Sequence, residues 1–111
     1  MSKIRISFTI PQTMQQELRE RITKDGYGLR GKSNWVADSL KHFLSLDEFI
    51  KFVFYTEDMG SSDVIETISL DKDIKMMLDD ASYKVRSAYP MMEGVQSRIV
   101  RASILQRLLR S

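Results

Sequence analysis

Residues Lys3 to Pro11 read KIRISFTIP, and their alternation leaves the stretch few options. Ile4, Ile6, Phe8 and Ile10 fall on one side, Lys3, Arg5, Ser7 and Thr9 on the other. A period of two belongs to a strand with one apolar and one polar face. Pro11 cannot donate to a ladder, so it ends the strand, and its fixed φ suits entry into a helix. A lone strand this short is not stable and demands a partner. The polar side carries two cations, two hydroxyls and no acid.

A second stretch has the same character. Val64 to Leu70 (VIETISL) puts Val64, Ile68 and Leu70 on one face and Ile65, Thr67 and Ser69 on the other. Ile10-Pro11 and Leu70-Asp71 stand at matching points, and a helical pattern follows each strand. After Pro11, Met14, Leu18 and Ile22 recur every four residues, with Thr13 and Gln16 at capping-box spacing and an end near Asp25-Gly26. After Asp71, itself the expected N-cap, the apolar line is Ile74, Met77, Leu78, Ala81 and Val85, interrupted by Tyr89-Pro90 and Gly94. A second helix then opens on a serine in each half. Ser33 precedes Trp35, Val36, Leu40, Phe43 and Leu44; Ser97 precedes Ile99, Val100, Ile104, Leu105, Leu108 and Leu109. Ser33-Asn34-Trp35-Val36 lines up with Ser97-Arg98-Ile99-Val100, and Ser39-Leu40 with Ser103-Ile104. The strands are offset by 60 positions and the second helices by 64, so the later half holds a longer loop. An internal repeat explains this order. Glu66, where Ile6 stands, departs from it: a carboxylate on an apolar face must lie at a strand end or find a partner.

The chain therefore divides into a first unit over 3–44, a connector over 45–63 and a second unit over 64–111, in one domain of 111 residues. Residues 1–44 hold eight Lys/Arg against four Asp/Glu, the connector one against five, and 64–111 eight against six. The overall charge of +2 thus hides two cationic ends. Within the connector Ser45 and Glu48 have capping-box spacing, and Leu46, Phe49, Ile50, Val53 and Phe54 follow a helical face. A strand through FVFYT is the competing reading. Met59-Gly60-Ser61-Ser62 reads as a flexible return to the second strand. The aromatic face either covers the core or docks another copy or a further protein.

Strand, helix, turn and a second helix opening on serine resemble the ribbon-helix-helix DNA-binding family, and the resemblance covers both halves. It implies a mostly α fold with a two-stranded antiparallel β-ribbon, a tandem pseudo-dimer in one chain. Lys3–Ile10 would pair with Val64–Leu70 above interlocked helices, at an effective concentration of roughly millimolar. The family lays such a ribbon in the major groove of duplex DNA. Carried over by position, the base readers are Arg5, Ser7 and Thr9 of the first strand and Ile65, Thr67 and Ser69 of the second. Arg5 suits guanine O6/N7, Ser and Thr donate or accept, and Ile65 suits a thymine methyl. Phosphate contacts would fall to Lys32, Ser33 and Asn34 at one helix start, Gln96, Ser97 and Arg98 at the other, and Lys3. Tandem versions resemble accessory proteins of conjugative relaxosomes and related DNA-transfer systems, which bind near a transfer origin and assist a separate relaxase. Double-stranded DNA, transfer proteins such as a relaxase, and further copies of the chain on DNA are the expected partners. A transcriptional repressor is the main alternative. An antitoxin is less favoured: with the last helix running nearly to Ser111, only the acidic connector is left to wrap a toxin.

Other classes fit worse. His42, the only histidine, falls in a helical segment, and no catalytic triad or zinc constellation assembles around it. Asp79-Asp80 reads as a solvated helix face, and GYGLRG lacks the spacing and lysine of a phosphate-binding loop. We therefore expect no enzyme and no cofactor. With no Cys, no signal-peptide pattern in MSKIRIS and no bilayer-length apolar run, a cytoplasmic protein without membrane contact is expected.

Overall fold

Strand β1 (Ile4–Ile10) runs straight into helix α1 (Gln12–Lys24), because Pro11 ends the ladder and its carbonyl accepts the first helical bond, from Gln15 N–H at 3.0 Å. The computed structural model describes residues 3–28, 30–56 and 64–110. The expected return through Met59–Ser62 lies outside them. The order continues α2 (Lys32–Leu44), α3 (Phe49–Tyr55), β2 (Val64–Leu70), α4 (Lys72–Ala88) and α5 (Val95–Arg110). The fold is mostly helical: among the described residues there are five helices and one two-stranded antiparallel ribbon. No helix among the described residues is long and apolar enough to cross a membrane.

β1 pairs with β2 so that Ile4 faces Leu70, Ser7 faces Thr67 and Ile10 faces Val64. Ser7 and Thr67 are also the middle residues of their strands, so the ribbon is centred on them. Its inner face buries Ile6, Phe8, Ile10, Glu66, Ile68 and Leu70; Ile4, at the open end, is partly exposed. Beneath lie the helices. α2 lies against β2 and α5 against β1, and α2 and α5 pack on each other. Trp35, Val36 and Leu40 of α2 and Ile99, Val100 and Ile104 of α5 are all fully buried. Burying each large apolar side chain contributes roughly 1.5–3 kcal/mol, so this layer is a substantial part of what holds the ribbon in place.

α3 is a helix, not a strand, and its face is divided. Phe49 and Val53 join the core, Phe49 meeting Phe43 edge-on at 6.0 Å, whereas Phe54 and Tyr55 are exposed. Leu46 is exposed as well. Along α4 the buried line is Ile74, Leu78, Ala81, Ser82 and Val85, which leaves Met77 outside it at 38% exposure. Leu109, in the last turn of α5, is also exposed.

The expected caps fail, and each for a reason. Thr13 does not open α1, because the helix starts directly after Pro11 and Thr13 falls in its first turn. Ser33 does not cap α2: the helix begins at Lys32, after Gly31, two residues earlier than a Ser33 cap would start it, and the Ser33 hydroxyl accepts from the Ser69 N–H at 3.0 Å. Gly31 is required there, since a Cβ would lie 2.4 Å from Tyr27 Cβ and carbonyl oxygen. Ser97 lies inside α5, which is entered through Gly94 at φ +61°, and the Gly94 carbonyl accepts from Arg98 N–H. Asp71 holds the N-cap position of α4 but makes no cap bond; its carboxylate faces Lys3 Nζ at 3.9 Å. Ser45 closes α2 by donating to the His42 carbonyl, and Glu48 pairs with Lys51. Ser33 and Asp71 thus face tertiary partners, whereas Thr13 and Ser97 fall inside helices that start before them.

Candidate nucleic-acid interface

The outer face of the ribbon carries six side chains in three opposed pairs: Arg5 with Ser69, Ser7 with Thr67, and Thr9 with Ile65. Arg5 and Ser7 are exposed, Ile65 is 71% exposed, and Thr9, Thr67 and Ser69 are half-buried. Alternation produces this directly, since every residue that faces out neighbours one that faces in. At the centre the Ser7 and Thr67 hydroxyls lie 3.2 Å apart and share a hydrogen bond. Among the described residues Arg5 has no ion pair and no side-chain hydrogen bond. The face is therefore an open surface offering one guanidinium, four hydroxyls and one aliphatic group.

Two contacts from below fix the ribbon's edges. An edge strand leaves backbone groups without ladder partners. Ser33 Oγ receives the Ser69 N–H at one edge. At the other, Arg101 Nη1 donates to the Thr9 carbonyl at 2.8 Å and to Thr9 Oγ1 at 3.0 Å. Arg101 did not stand out in the sequence. It is one cation among several in α5, and its aligned position in α2 is Ala37, so only the fold brings it to Thr9.

The phosphate candidates are placed unequally. Lys3 is about half exposed and faces Asp71. Asn34 is exposed in the first turn of α2. Lys32 Nζ lies 2.7 Å from Glu66 Oε1, so its charge is committed to the buried carboxylate. Glu66 also accepts from Gln15 Nε2 and has Arg19 Nη2 at 3.9 Å. Burial alone would raise its pKa; the hydrogen bonds from Lys32 and Gln15 and the charges of Lys32 and Arg19 more than offset this and hold it below the ordinary value. Gln96, Ser97 and Arg98 are half-buried at the start of α5. Arg98 borders an open apolar groove of about 640 Å³ with Phe54, Tyr55, Tyr89, Pro90 and Met91, where the Phe54 and Tyr89 rings stack at 4.5 Å.

A second cluster ties α5 to the first half. The Arg107 guanidinium lies over the Trp35 ring at 4.3 Å and donates to the Trp35 carbonyl, Ser39 Oγ and the Tyr27 hydroxyl. Trp35 Nε1 donates to Asp25 Oδ2 at 2.9 Å; this bond, and then the Arg21 and Arg107 charges, against the opposing effect of burial, hold Asp25 below its ordinary pKa. The cluster lies beneath α2 and serves packing. His42 is exposed on α2, and Asp79 and Asp80 pair with Lys75 and Lys84 along α4, a solvated face as expected. No protein-family model matches the chain, nor does any curated protein or solved structure.

Proposed function

We propose that the chain is a tandem ribbon-helix-helix protein that inserts its ribbon into the major groove of duplex DNA and reads base sequence there. One observation carries this reading: two strands from distant parts of the chain pair with their apolar faces buried and their hydroxyl- and guanidinium-bearing faces left open. The groove is about 12 Å wide and accepts a two-stranded ribbon. Three further features support it. The register is centred on Ser7 and Thr67, the pair that the sequence repeat makes equivalent. Each second helix underlies the opposite strand, the interlocking expected of two joined units. Trp35/Ile99, Val36/Val100, Ser39/Ser103 and Leu40/Ile104, aligned in sequence, are all fully buried.

On this reading Arg5, Ser7, Thr9, Ile65, Thr67 and Ser69 contact base edges. Asn34 and the N–H groups at the start of α2, with those at the start of α5 and Lys3, contact phosphate. The chain acts as an accessory of a DNA-transfer apparatus, bound near a transfer origin beside a separate relaxase.

The test is selection from a random duplex library, followed by footprinting of the enriched sequence on the protein's own genome or mobile element. Arg5→Ala should lose about 5- to 150-fold affinity for the selected duplex and much less for a scrambled one, as expected for a base contact worth about 1–3 kcal/mol. Each phosphate neutralised should steepen the log–log salt dependence by about 0.9. Protection of a transfer origin supports the accessory role; protection confined to a promoter makes the protein a repressor. Failure to retain any duplex would remove the proposal.

A further inference from the structure

The outer face has two chemically unlike ends. At one, Arg5 stands opposite Ser69; at the other, Thr9 stands opposite Ile65; the Ser7–Thr67 hydroxyl pair lies between them. A ribbon of identical strands looks the same from either end, because a two-fold axis through its centre exchanges them. That symmetry is what makes the preferred sites of symmetric dimers palindromic. Here a half-turn about Ser7–Thr67 would carry a guanidinium onto an isoleucine and a threonine onto a serine.

Each end has its own base chemistry. Arg5 is exposed and unpaired among the described residues, so its fork is available for guanine O6 and N7. Ile65 has neither donor nor acceptor and projects 71% exposed from the ribbon. Beside it, Arg101 donates to Thr9 Oγ1 at 3.0 Å while holding the Thr9 carbonyl at 2.8 Å. With one of its two lone pairs taken by Arg101, the Oγ1 hydroxyl has its own hydrogen and a single lone pair left, which biases Thr9 toward donating outward. Thymine alone presents an acceptor, O4, next to a methyl group in the major groove. The Thr9–Ile65 end matches both features at once.

We infer that the ribbon binds a non-palindromic duplex in one fixed orientation, with guanine under Arg5, thymine under Thr9 and Ile65, and Arg101 as the positioning residue for the Thr9 hydroxyl. The inference rests on the DNA-groove reading above. Thr9 lies four positions after Arg5 along β1, about 13 Å at strand rise, so the two bases lie about four base pairs apart.

Parallel selections from a random duplex library with the parent chain, Ile65→Arg and Arg101→Met test it, with thermal melts to verify folding. The parent should enrich an asymmetric motif with guanine and thymine at that spacing, about ten-fold preferred over its palindromic counterpart. Ile65→Arg, at an exposed position, makes the ends alike and should move the preference to a palindrome with guanine in both halves. Arg101→Met should weaken the thymine preference several-fold and leave the guanine preference intact, a split that general loosening of the fold would not produce. A palindrome enriched by the parent, or one motif shared by the parent and Ile65→Arg, overturns the inference and leaves DNA binding standing. Enrichment of no duplex overturns both.

Discussion

Ile6 and Glu66 hold the same place in their two strands and are equally buried, at 5% and 6% exposure, yet one is a hydrocarbon and the other a carboxylate. Their surroundings explain how. Ile6 faces Ile68 across the ribbon, and Glu66 faces Phe8. Around Glu66, α1 supplies Gln15 and Arg19 and α2 supplies Lys32. Counted from the strand ends, Lys75 and Asp79 of α4 stand where Gln15 and Arg19 stand in α1, and they satisfy each other. The architecture decides that both positions are buried. The helices beneath decide which chemistry each can hold, and those serving Glu66 come from the opposite half of the chain.

The strongest way to break that comparison is Ile6→Glu. Lys75 is already paired with Asp79, so the new carboxylate would lack the cations that Glu66 has, and unfolding in urea should show a loss of about 3–5 kcal/mol. A loss below about 1 kcal/mol would mean that α4 can serve an acid as well as α1 and α2 do. A smaller effect is expected at the other end. Lys32→Met leaves Glu66 with weaker partners, and because Lys32 is itself 39% exposed the loss should be nearer 1–3 kcal/mol. Adding Glu66→Ile to Lys32→Met should restore stability to within about 1 kcal/mol of the parent, since an apolar pair replaces a buried ionic one.

Acid titration sharpens the same point with the smallest effect. Glu66 and Asp25 both have pKa values lowered in the folded protein, so each contributes stability that is complete above its unfolded value, about 4, and is lost as pH falls through the folded one. Melting temperature should therefore fall on acidification below about pH 4.5. The double variant Lys32→Met/Glu66→Ile should show a shallower fall, reduced further by Trp35→Phe, which removes the bond that lowers the Asp25 pKa. An unchanged slope in the double variant would show that Glu66 does not carry this linkage.

Much of the fold was legible because alternation and helical spacing are properties of adjacent residues. Ile6, Phe8, Ile10, Ile68 and Leu70 face the core as their period of two requires, and Met14, Leu18 and Ile22 do so at a spacing of four. The need of Glu66 for a partner was also legible, though not which partners it takes. The helix starts are less legible. Ser33 and Asp71 look like caps in sequence, but their side chains meet Ser69 and Lys3, residues brought near only by folding. Met77 and Leu109 fit the apolar periodicity yet remain 38% and 70% exposed, because a helix pattern does not say how far its neighbours extend.

The sequence by itself determined which residues alternate, which recur every helical turn, and that a lone polar-faced strand needs a second one. Only the tertiary structure decided that Arg101 grips Thr9, that Lys32 turns inward to Glu66, and that Arg107 rests on Trp35. The reason is physical. Periodicity is set by backbone geometry within a few residues, whereas a long cation's partner is set by which carbonyls and carboxylates the packed helices bring within about 3 Å of it.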